Sequence, residues 1–170
     1  MITGHELALA LRSAYLSMHR RADAVLARFG VTADQFVLMA AIPDGEVLTQ
    51  QELVRRLTSD ASTVRAMLLL LEERGLVTRF VHPSDGRARC VTLTPKGKRA
   101  LQRMIEASQS IRTRILEALG PDKDQLLKSM LSCVTEAMLN FQEIPSNKTM
   151  RKPSGGTAAA AILNPSEGVR

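Results

Sequence analysis

The sequence predicts a mainly helical fold with one small β-hairpin, and three observations lead to this prediction. Apolar residues recur at intervals of three and four along most of the 170 residues, as they do on amphipathic helices. Between residues 76 and 93 that interval shortens to two, which is typical of paired strands. Only 3% of the residues are aromatic and none is Trp, so the core is aliphatic. Such a core suits packed helices better than a sheet sandwich.

Residues 1–30 are predicted to form one long helix. Gly30 is expected to end it in the left-handed conformation. Thr32 is expected to cap a second, shorter helix that ends near residues 43–45. The apolar residues on one side of the first helix are Leu7, Leu11, Tyr15, Met18, Ala22, Val25 and Phe29.

Residues 31–94 contain the pattern of a helix-turn-helix. Thr49 and Glu52 form a capping box, in which each side chain accepts a hydrogen bond from the backbone amide of the other. The helix that begins there turns Leu53, Val54 and Leu57 inward, and Thr58-Ser59-Asp60 interrupts it. A second helix then runs to Gly75. Two short helices joined by a short polar turn, the second of them basic, are typical of this motif.

The hairpin and two further helices follow. Strands are predicted at Leu76–Val81 and Arg87–Leu93 around a turn at residues 82–86. Thr94-Pro95 is expected to begin a long helix that stops at Gly120. Asp122 is expected to begin a last helix that ends before Pro145. Residues 95–143 thus form a helical pair. Residues 144–170 are predicted to be a Pro-, Gly- and Ala-rich basic tail, disordered by composition unless residues 158–163 dock on a partner subunit.

The net charge of +6 is concentrated in two segments. Residues 46–100 contain ten basic and six acidic side chains, and residues 145–170 contain four basic and one acidic side chain. A basic block within a folded region suggests an acidic polymer such as nucleic acid as the partner. The alternative is a solvated face with a chance surplus of cations.

Several classes of protein are excluded by what the sequence lacks. Cys90 and Cys133 cannot build a secreted disulfide framework, and we expect both to be small buried hydrophobic residues. No apolar run approaches the roughly 20 residues of a membrane span and no signal peptide opens the chain, so we expect a cytoplasmic protein without a membrane partner. His5, His19 and His82 lack ligand spacing, and we expect no metal and no cofactor. No catalytic constellation is recognisable, which argues against an enzyme.

The terminal helices carry broad apolar faces. The first helix and residues 95–143 would leave a large apolar patch on a monomer, and a second copy would cover it in a two-fold homodimer. The alternative is that these helices bury one another completely.

At this point the motifs resemble a known family. Glu72–Val77, Leu76–Arg79, Pro83–Arg87 and Val91–Gly97 are similar to the end of the recognition helix and the wing of the MarR family, the multiple-antibiotic-resistance regulators. The element order is similar over residues 5–143 and the motifs over residues 49–97. The resemblance implies a dimer of winged helix-turn-helix proteins, usually a repressor. It would bind a palindromic operator in double-stranded DNA and release it on binding a small, often aromatic or phenolic, effector.

The sequence departs from the family at Leu69. In many relatives an acidic residue at this position supports an arginine of the wing, whereas here it lies within the run Leu68–Leu71. Arg87 is therefore expected to lack that partner, and Leu69 and Leu70 to add apolar surface where a solvated face would be expected.

The candidate DNA contacts lie on the second helix of the motif and on the hairpin. The start of such a helix meets base edges, so Arg65 is a candidate for the O6 and N7 atoms of guanine and Ala66 for a methyl contact. Ser62 and Thr63 would bond to DNA or merely cap the helix. At best, generic phosphate contacts are expected from Arg55, Arg56, Arg79, Arg89 and Lys96, and the alternative is that some of them simply face water.

Arg87, at the hairpin tip, is the candidate for a narrow minor groove, whose enhanced negative potential attracts a guanidinium. Asp85 would hold either Arg87 or the backbone of the turn. The alternative for Arg87 is an exposed turn charge without a role.

Effector binding leaves a fainter signal. A pocket between the first two helices and the start of the 95–119 helix would be lined by Tyr15, Met18, His19 and Met39. The alternative is that these four are plain core residues.

Together these features predict a DNA-binding transcriptional regulator, specifically a ligand-relieved homodimeric repressor. The alternative is a helical protein-interaction module, in which Leu68–Leu71 and the terminal helices bind another protein and the basic face is incidental.

Overall fold

A computed structural model describes residues 3–141, so the predicted tail at 144–170 lies outside the described part of the chain. The chain divides into a first unit, Met1–Leu126, and a second that begins at Leu127 and holds most of the last helix. The elements are α1 (Gly4–Leu26) followed by a 3-10 turn (Ala27–Phe29), α2 (Ala33–Ala40), β1 (Leu48–Thr49), α3 (Gln50–Leu57), α4 (Ala61–Glu73), β2 (Val77–His82), β3 (Asp85–Leu93), α5 (Pro95–Leu119) and α6 (Asp124–Leu139).

The helices begin at side-chain caps. Thr32 and Thr49 each form a full capping box, with Gln35 and Glu52 respectively, as the helix starts at these two positions require. Gly30 takes a left-handed φ of 65° after the 3-10 turn, as predicted. These local devices set the end of the first helical segment and the starts of α2 and α3.

The sheet has three strands rather than the predicted two. Its order is β1-β3-β2, with β3 antiparallel to both neighbours and Leu48 opposite Val91. β1 is only two residues long, too short for alternation to show in the sequence. The hairpin turn is also tighter than predicted, because His82 and Asp85 already face each other as a pair. Asp85 and Gly86 are common turn residues, yet here they extend the ladder.

One aliphatic core joins the helix-turn-helix, the sheet and α5. Fully buried side chains include Leu38 of α2, Leu53 of α3, Leu68 of α4, Val91 of β3 and Met104 of α5. Because each element of the motif inserts a side chain into this core, α4 and the hairpin are held in one orientation. Burial of each such aliphatic side chain contributes about 1.5–3 kcal/mol.

Two predictions about the C-terminal part are wrong. The last helix begins at Asp124 and ends at Leu139, not at residues 122 and 143, because Asp122 takes a left-handed φ of 59° that no α-helix accepts. Cys90 is buried as predicted, but Cys133 of α6 is exposed rather than buried. The side chains of α6 are nearly all exposed in the single chain.

Candidate nucleic-acid interface

The start of α4 is organised by the carboxylate of Asp60. It accepts hydrogen bonds from the Thr63 backbone amide, at 2.8 Å, and from the Ser62 hydroxyl. These hydrogen bonds from Ser62 and Thr63 hold the pKa of Asp60 well below its ordinary value. Of the two roles left open for Ser62, capping is therefore the one that the geometry supports.

Arg65 and Ala66 follow on the exposed side of α4. Val64, Leu68 and Leu71 are fully buried on the opposite side. Among residues 3–141 the Arg65 guanidinium has no ion pair, so its donors are available for an external acceptor. The exposed side of α4 thus presents a free guanidinium beside a methyl group.

A groove of about 600 Å³ separates α4 from the hairpin. Arg65 lies on its helix side, and Arg89 lies on its hairpin side. Its lining residues are Gln50, Arg65, Glu72, Arg79, Phe80, Val81 and Arg89. Four charged groups therefore face one another between the two elements.

Glu72 and Arg79 join α4 to β2 inside this groove. The Arg79 Nε and Nη2 atoms donate to Glu72 Oε2 at 2.8 and 2.6 Å, and its backbone amide donates to Oε1 at 3.1 Å. The side-chain hydrogen bond from Arg79 lowers the pKa of Glu72. The Arg79 side chain is only 17% exposed. Arg79 was expected to contact a phosphate, but its guanidinium instead holds β2 to α4 through Glu72.

Glu72 is a site residue that sequence reasoning missed. The two partners are seven residues apart, and they meet only because β2 folds back along α4. The signal available in the sequence was an acidic residue just before the helix-ending Gly75 and an arginine just inside the next strand. An acidic residue and an arginine at these positions do not by themselves indicate an ion pair, because the path of the chain between α4 and β2 decides whether they meet.

The hairpin tip holds Arg87 in the open. Asp85 accepts the Arg87 backbone amide at 3.0 Å, so the carboxylate supports the turn backbone, one of the two roles considered for it. Within the part of the chain that the structure describes, the Arg87 guanidinium has no ion pair, as expected from Leu69. A second groove, of about 580 Å³, lies between the hairpin and the N-terminal ends of α3 and α4, with Arg87 and Arg89 in its lining.

The other basic residues fall into two groups. Arg56 donates to the Ala41 carbonyl at 3.2 Å and Lys96 to the Arg74 carbonyl at 2.7 Å, so both are engaged within the chain. Arg55 and Arg89 are exposed and form no ion pair among residues 3–141. Among the basic residues that were candidates for DNA contact, those that remain available lie on the helix-turn-helix and on the hairpin.

The four effector candidates do not share one environment. Tyr15 and Met18 are 50% and 45% exposed on α1, whereas Met39 is fully buried in the core, which fits the alternative of a core residue. His19 lies between Asp23, at 3.1 Å, and Asp34, at 3.2 Å. Its ring centroid is 5.4 Å from that of Tyr15.

The residues around His19 connect α1 to α2. Asp23 also accepts the Ala33 backbone amide at 2.7 Å, so one carboxylate of α1 supports both the imidazole and the first turn of α2. Desolvation and the neighbouring Asp34 raise the pKa of Tyr15. The two carboxylates of Asp23 and Asp34 therefore give the cluster a negative balance. Among residues 3–141 no group of three or more His, Cys, Asp or Glu could hold a metal ion.

Comparison with known proteins decides the family. The MarR family model matches residues 31–88. The transcriptional regulator HosA of Escherichia coli O111:H- is 32% identical over 101 residues, which cover 59% of this chain and 75% of HosA. This chain belongs to the MarR family. A second MarR-like relative, the putative transcriptional regulatory protein for the hcr operon of Thauera aromatica, is 29% identical over 81% of this chain and 86% of that protein.

Solved structures of MarR proteins agree with the fold. The repressor CouR bound to a 23-mer DNA duplex has a TM-score of 0.69 and 29% identity over 79% of this chain and 99% of that chain. A mutant MarR from E. coli complexed with operator DNA has a TM-score of 0.69 and 25% identity over 75% and 92% of the two chains. The predicted winged helix-turn-helix fold is confirmed, and we call β2, β3 and their turn the wing.

These relatives also settle the function class. They are transcriptional regulators, so this chain is a MarR-family DNA-binding transcriptional regulator and not an enzyme. The alternative of a helical protein-interaction module is set aside. Within residues 3–141, no helix is both long and apolar enough to span a bilayer.

Proposed function

We propose that this regulator is a homodimeric repressor of a palindromic operator, released by a small aromatic or phenolic effector. One observation carries the DNA-binding part of the proposal. Arg65 on α4 and Arg87 on the wing are both exposed and unpaired within residues 3–141, and both lie on elements anchored in one core. Two free guanidiniums held in a fixed relation suit adjacent grooves of one duplex.

Each side chain has a distinct role in this proposal. Arg65 would donate to O6 and N7 of guanine in the major groove, a contact that contributes about 1–3 kcal/mol of discrimination. Arg87 would enter the flanking minor groove. Ala66 would contact a base methyl group. Arg55 and Arg89 would bind phosphates, and Thr63 would add a hydroxyl contact beside its capping role.

Exposed apolar side chains on the terminal helices support the homodimer. A monomer rarely leaves so many large apolar residues in water, and a two-fold interface would bury them. On α1 they include Leu7, Leu9 and Leu11, and on α6 they are Leu126, Met130, Leu131, Val134, Met138 and Leu139.

The cluster around Tyr15 and His19 supports a binding site for the effector. An exposed phenol, an adjacent imidazole and the exposed thioether of Met18 offer polar and adaptable apolar contacts. Asp23 and Asp34 beside His19 disfavour an anion, so we propose an uncharged phenolic compound as the effector. It should raise the melting temperature of the wild type and not of Tyr15→Ala.

The operator proposal is tested with the promoter DNA upstream of the protein's own gene. We expect Arg65→Ala to weaken binding by about tenfold or more, from the loss of a bidentate base contact. Arg87→Ala should weaken it further. A gel-shift titration at fixed salt measures both affinities. Arg103→Ala, an equal charge change on the exposed side of α5, is the control and should bind as the wild type does. Wild-type affinity in both variants, or no preference over random DNA, would contradict the proposal.

A further inference from the structure

Three exposed residues form a stripe along α4. Ser62, Ala66 and Leu69 are spaced by four and three residues, so they lie along one side of the helix. Val64, Leu68 and Leu71 are fully buried on the other side. At 1.5 Å per residue, Ser62 and Leu69 are about 10.5 Å apart along the axis, which corresponds to about three base-pair steps. The stripe therefore has the length needed to contact several consecutive bases.

Leu69 lies on the edge of this stripe that is nearer the wing. Arg65, four residues before it, and Glu72, three residues after it, both line the groove that faces the wing. Leu70 is about 100° further around the helix and follows Thr63 on the other edge. The two leucines are similarly exposed, at 45% and 51%. They differ in the direction that they face, and DNA held between α4 and the wing would lie on the Leu69 side.

We propose that Leu69 recognises the 5-methyl group of a thymine in the operator. A leucine side chain has no donor or acceptor, and the one apolar group that bases present in the major groove is that methyl. Leu69 continues the surface on which Ser62, Arg65 and Ala66 lie, so this exposed leucine is part of the same proposed interface. This inference rests on the proposed docking of α4 in the major groove. It adds one specified base contact per half-site.

The test removes single methyl groups from DNA. The wild type first selects its operator from a pool of random duplexes, and each thymine of that operator is then replaced by deoxyuridine in both half-sites. At one thymine position we expect deoxyuridine to lower the affinity of the wild type by about fourfold per half-site, or by about fifteenfold when both half-sites are substituted. These values correspond to the loss of one buried methyl group in each half-site. Leu69→Ala should bind the thymine and deoxyuridine operators equally at that position.

Leu70→Ala is the matched control, because it removes the same atoms from an equally exposed position of the same helix. It should keep the full deoxyuridine penalty. Both variants should melt at the wild-type temperature, since neither leucine is buried. If the wild type binds a selected operator but no deoxyuridine substitution lowers its affinity, this inference alone is overturned. The same holds if Leu69→Ala keeps the loss of affinity at every thymine position where the wild type shows one. Failure to select any sequence would overturn the operator proposal together with it.

Discussion

A pair of side chains, Glu72 and Arg79, links α4 to the wing. Three hydrogen bonds of 2.6 to 3.1 Å join them, and two of these use the guanidinium. Charge-assisted bonds of this kind are stronger than neutral ones. The resemblance implied an acidic partner for the wing arginine at the Leu69 position, whereas in this chain the charged link lies one turn later on α4. The base of the wing is held, and Arg87 at its tip is free to contact DNA.

This pair makes stability depend on pH. The pKa of Glu72 is lowered from its ordinary value of 4.5 in the folded protein, so its charged form stabilises the fold above that value. The contribution is lost as pH falls through the lowered pKa. We expect Glu72→Gln to reduce the free energy of unfolding by about 1 kcal/mol at pH 7. The difference from the wild type should shrink in acid, as measured by urea denaturation between pH 7 and 3.

The exposed neighbour Glu73 provides the control. It forms no ion pair among residues 3–141, and Glu73→Gln should leave the free energy of unfolding close to that of the wild type. A Glu72→Gln difference that grows as the pH falls would contradict the sign of this prediction.

At the scale of elements, the first turn of α5 is fitted closely to the chain at the base of the wing. The Thr94 hydroxyl donates to the Gly75 carbonyl at 2.7 Å and accepts the Gly97 amide at 2.9 Å. A Cβ atom on Gly97 would lie 1.9 Å from the Leu76 carbonyl oxygen. Only glycine therefore fits where α5 crosses this segment, and α5 connects the wing to α6 along the chain.

We expect Gly97→Ala to destabilise the protein by about 2–3 kcal/mol, because a backbone atom blocks the added methyl and one element must shift. Thermal unfolding followed by circular dichroism measures the effect. Gly86→Ala is the matched control, since nothing lies within 4 Å of its Cβ position and its φ is not left-handed. An unchanged melting temperature in Gly97→Ala would show that α5 and the wing are not packed as described.

At the scale of the whole molecule, the free cations and the exposed apolar residues lie mainly on different elements. The net charge of +6 favours a polyanion, and the cations that are unpaired within residues 3–141 include Arg55, Arg65, Arg87 and Arg89. The exposed apolar residues lie mainly on α1 and α6, outside the helix-turn-helix and the wing. The proposed homodimer would place its two α4 helices about 34–36 Å apart, the repeat of one duplex turn.

Salt dependence tests this arrangement. A dimer that neutralises about eight phosphates should lose affinity with a slope near −7 in a plot of log affinity against log salt. Sedimentation should give twice the chain mass, and Leu131→Glu in α6 should dissociate the dimer and roughly halve the slope. Glu136→Gln on the same exposed helix is the control. A monomeric wild type, or a slope near zero, would contradict the proposed dimer.

How much could be predicted depends on whether the cause is local. The caps at Thr32, Thr49 and Thr94 could be predicted because a cap involves residues three positions apart. The helix-turn-helix follows from such caps and from the spacing of the apolar residues between them. For the same reason the role of Asp85 could be narrowed to holding either the Arg87 side chain or the turn backbone. The hydrogen bond that its carboxylate accepts comes from a residue only two positions away.

The sequence by itself determined where most helices begin, which elements carry the basic surface and which family the motifs resemble. Only the tertiary structure decided that Leu48 adds a third strand beside Val91, that Arg79 pairs with Glu72, and that Met39 is buried while Tyr15 is exposed. The physical reason is that caps and periodicity act within one turn of the chain. Strand pairing, ion pairing and burial depend on which distant segments of the chain come into contact, and packing around the shared core determines those contacts.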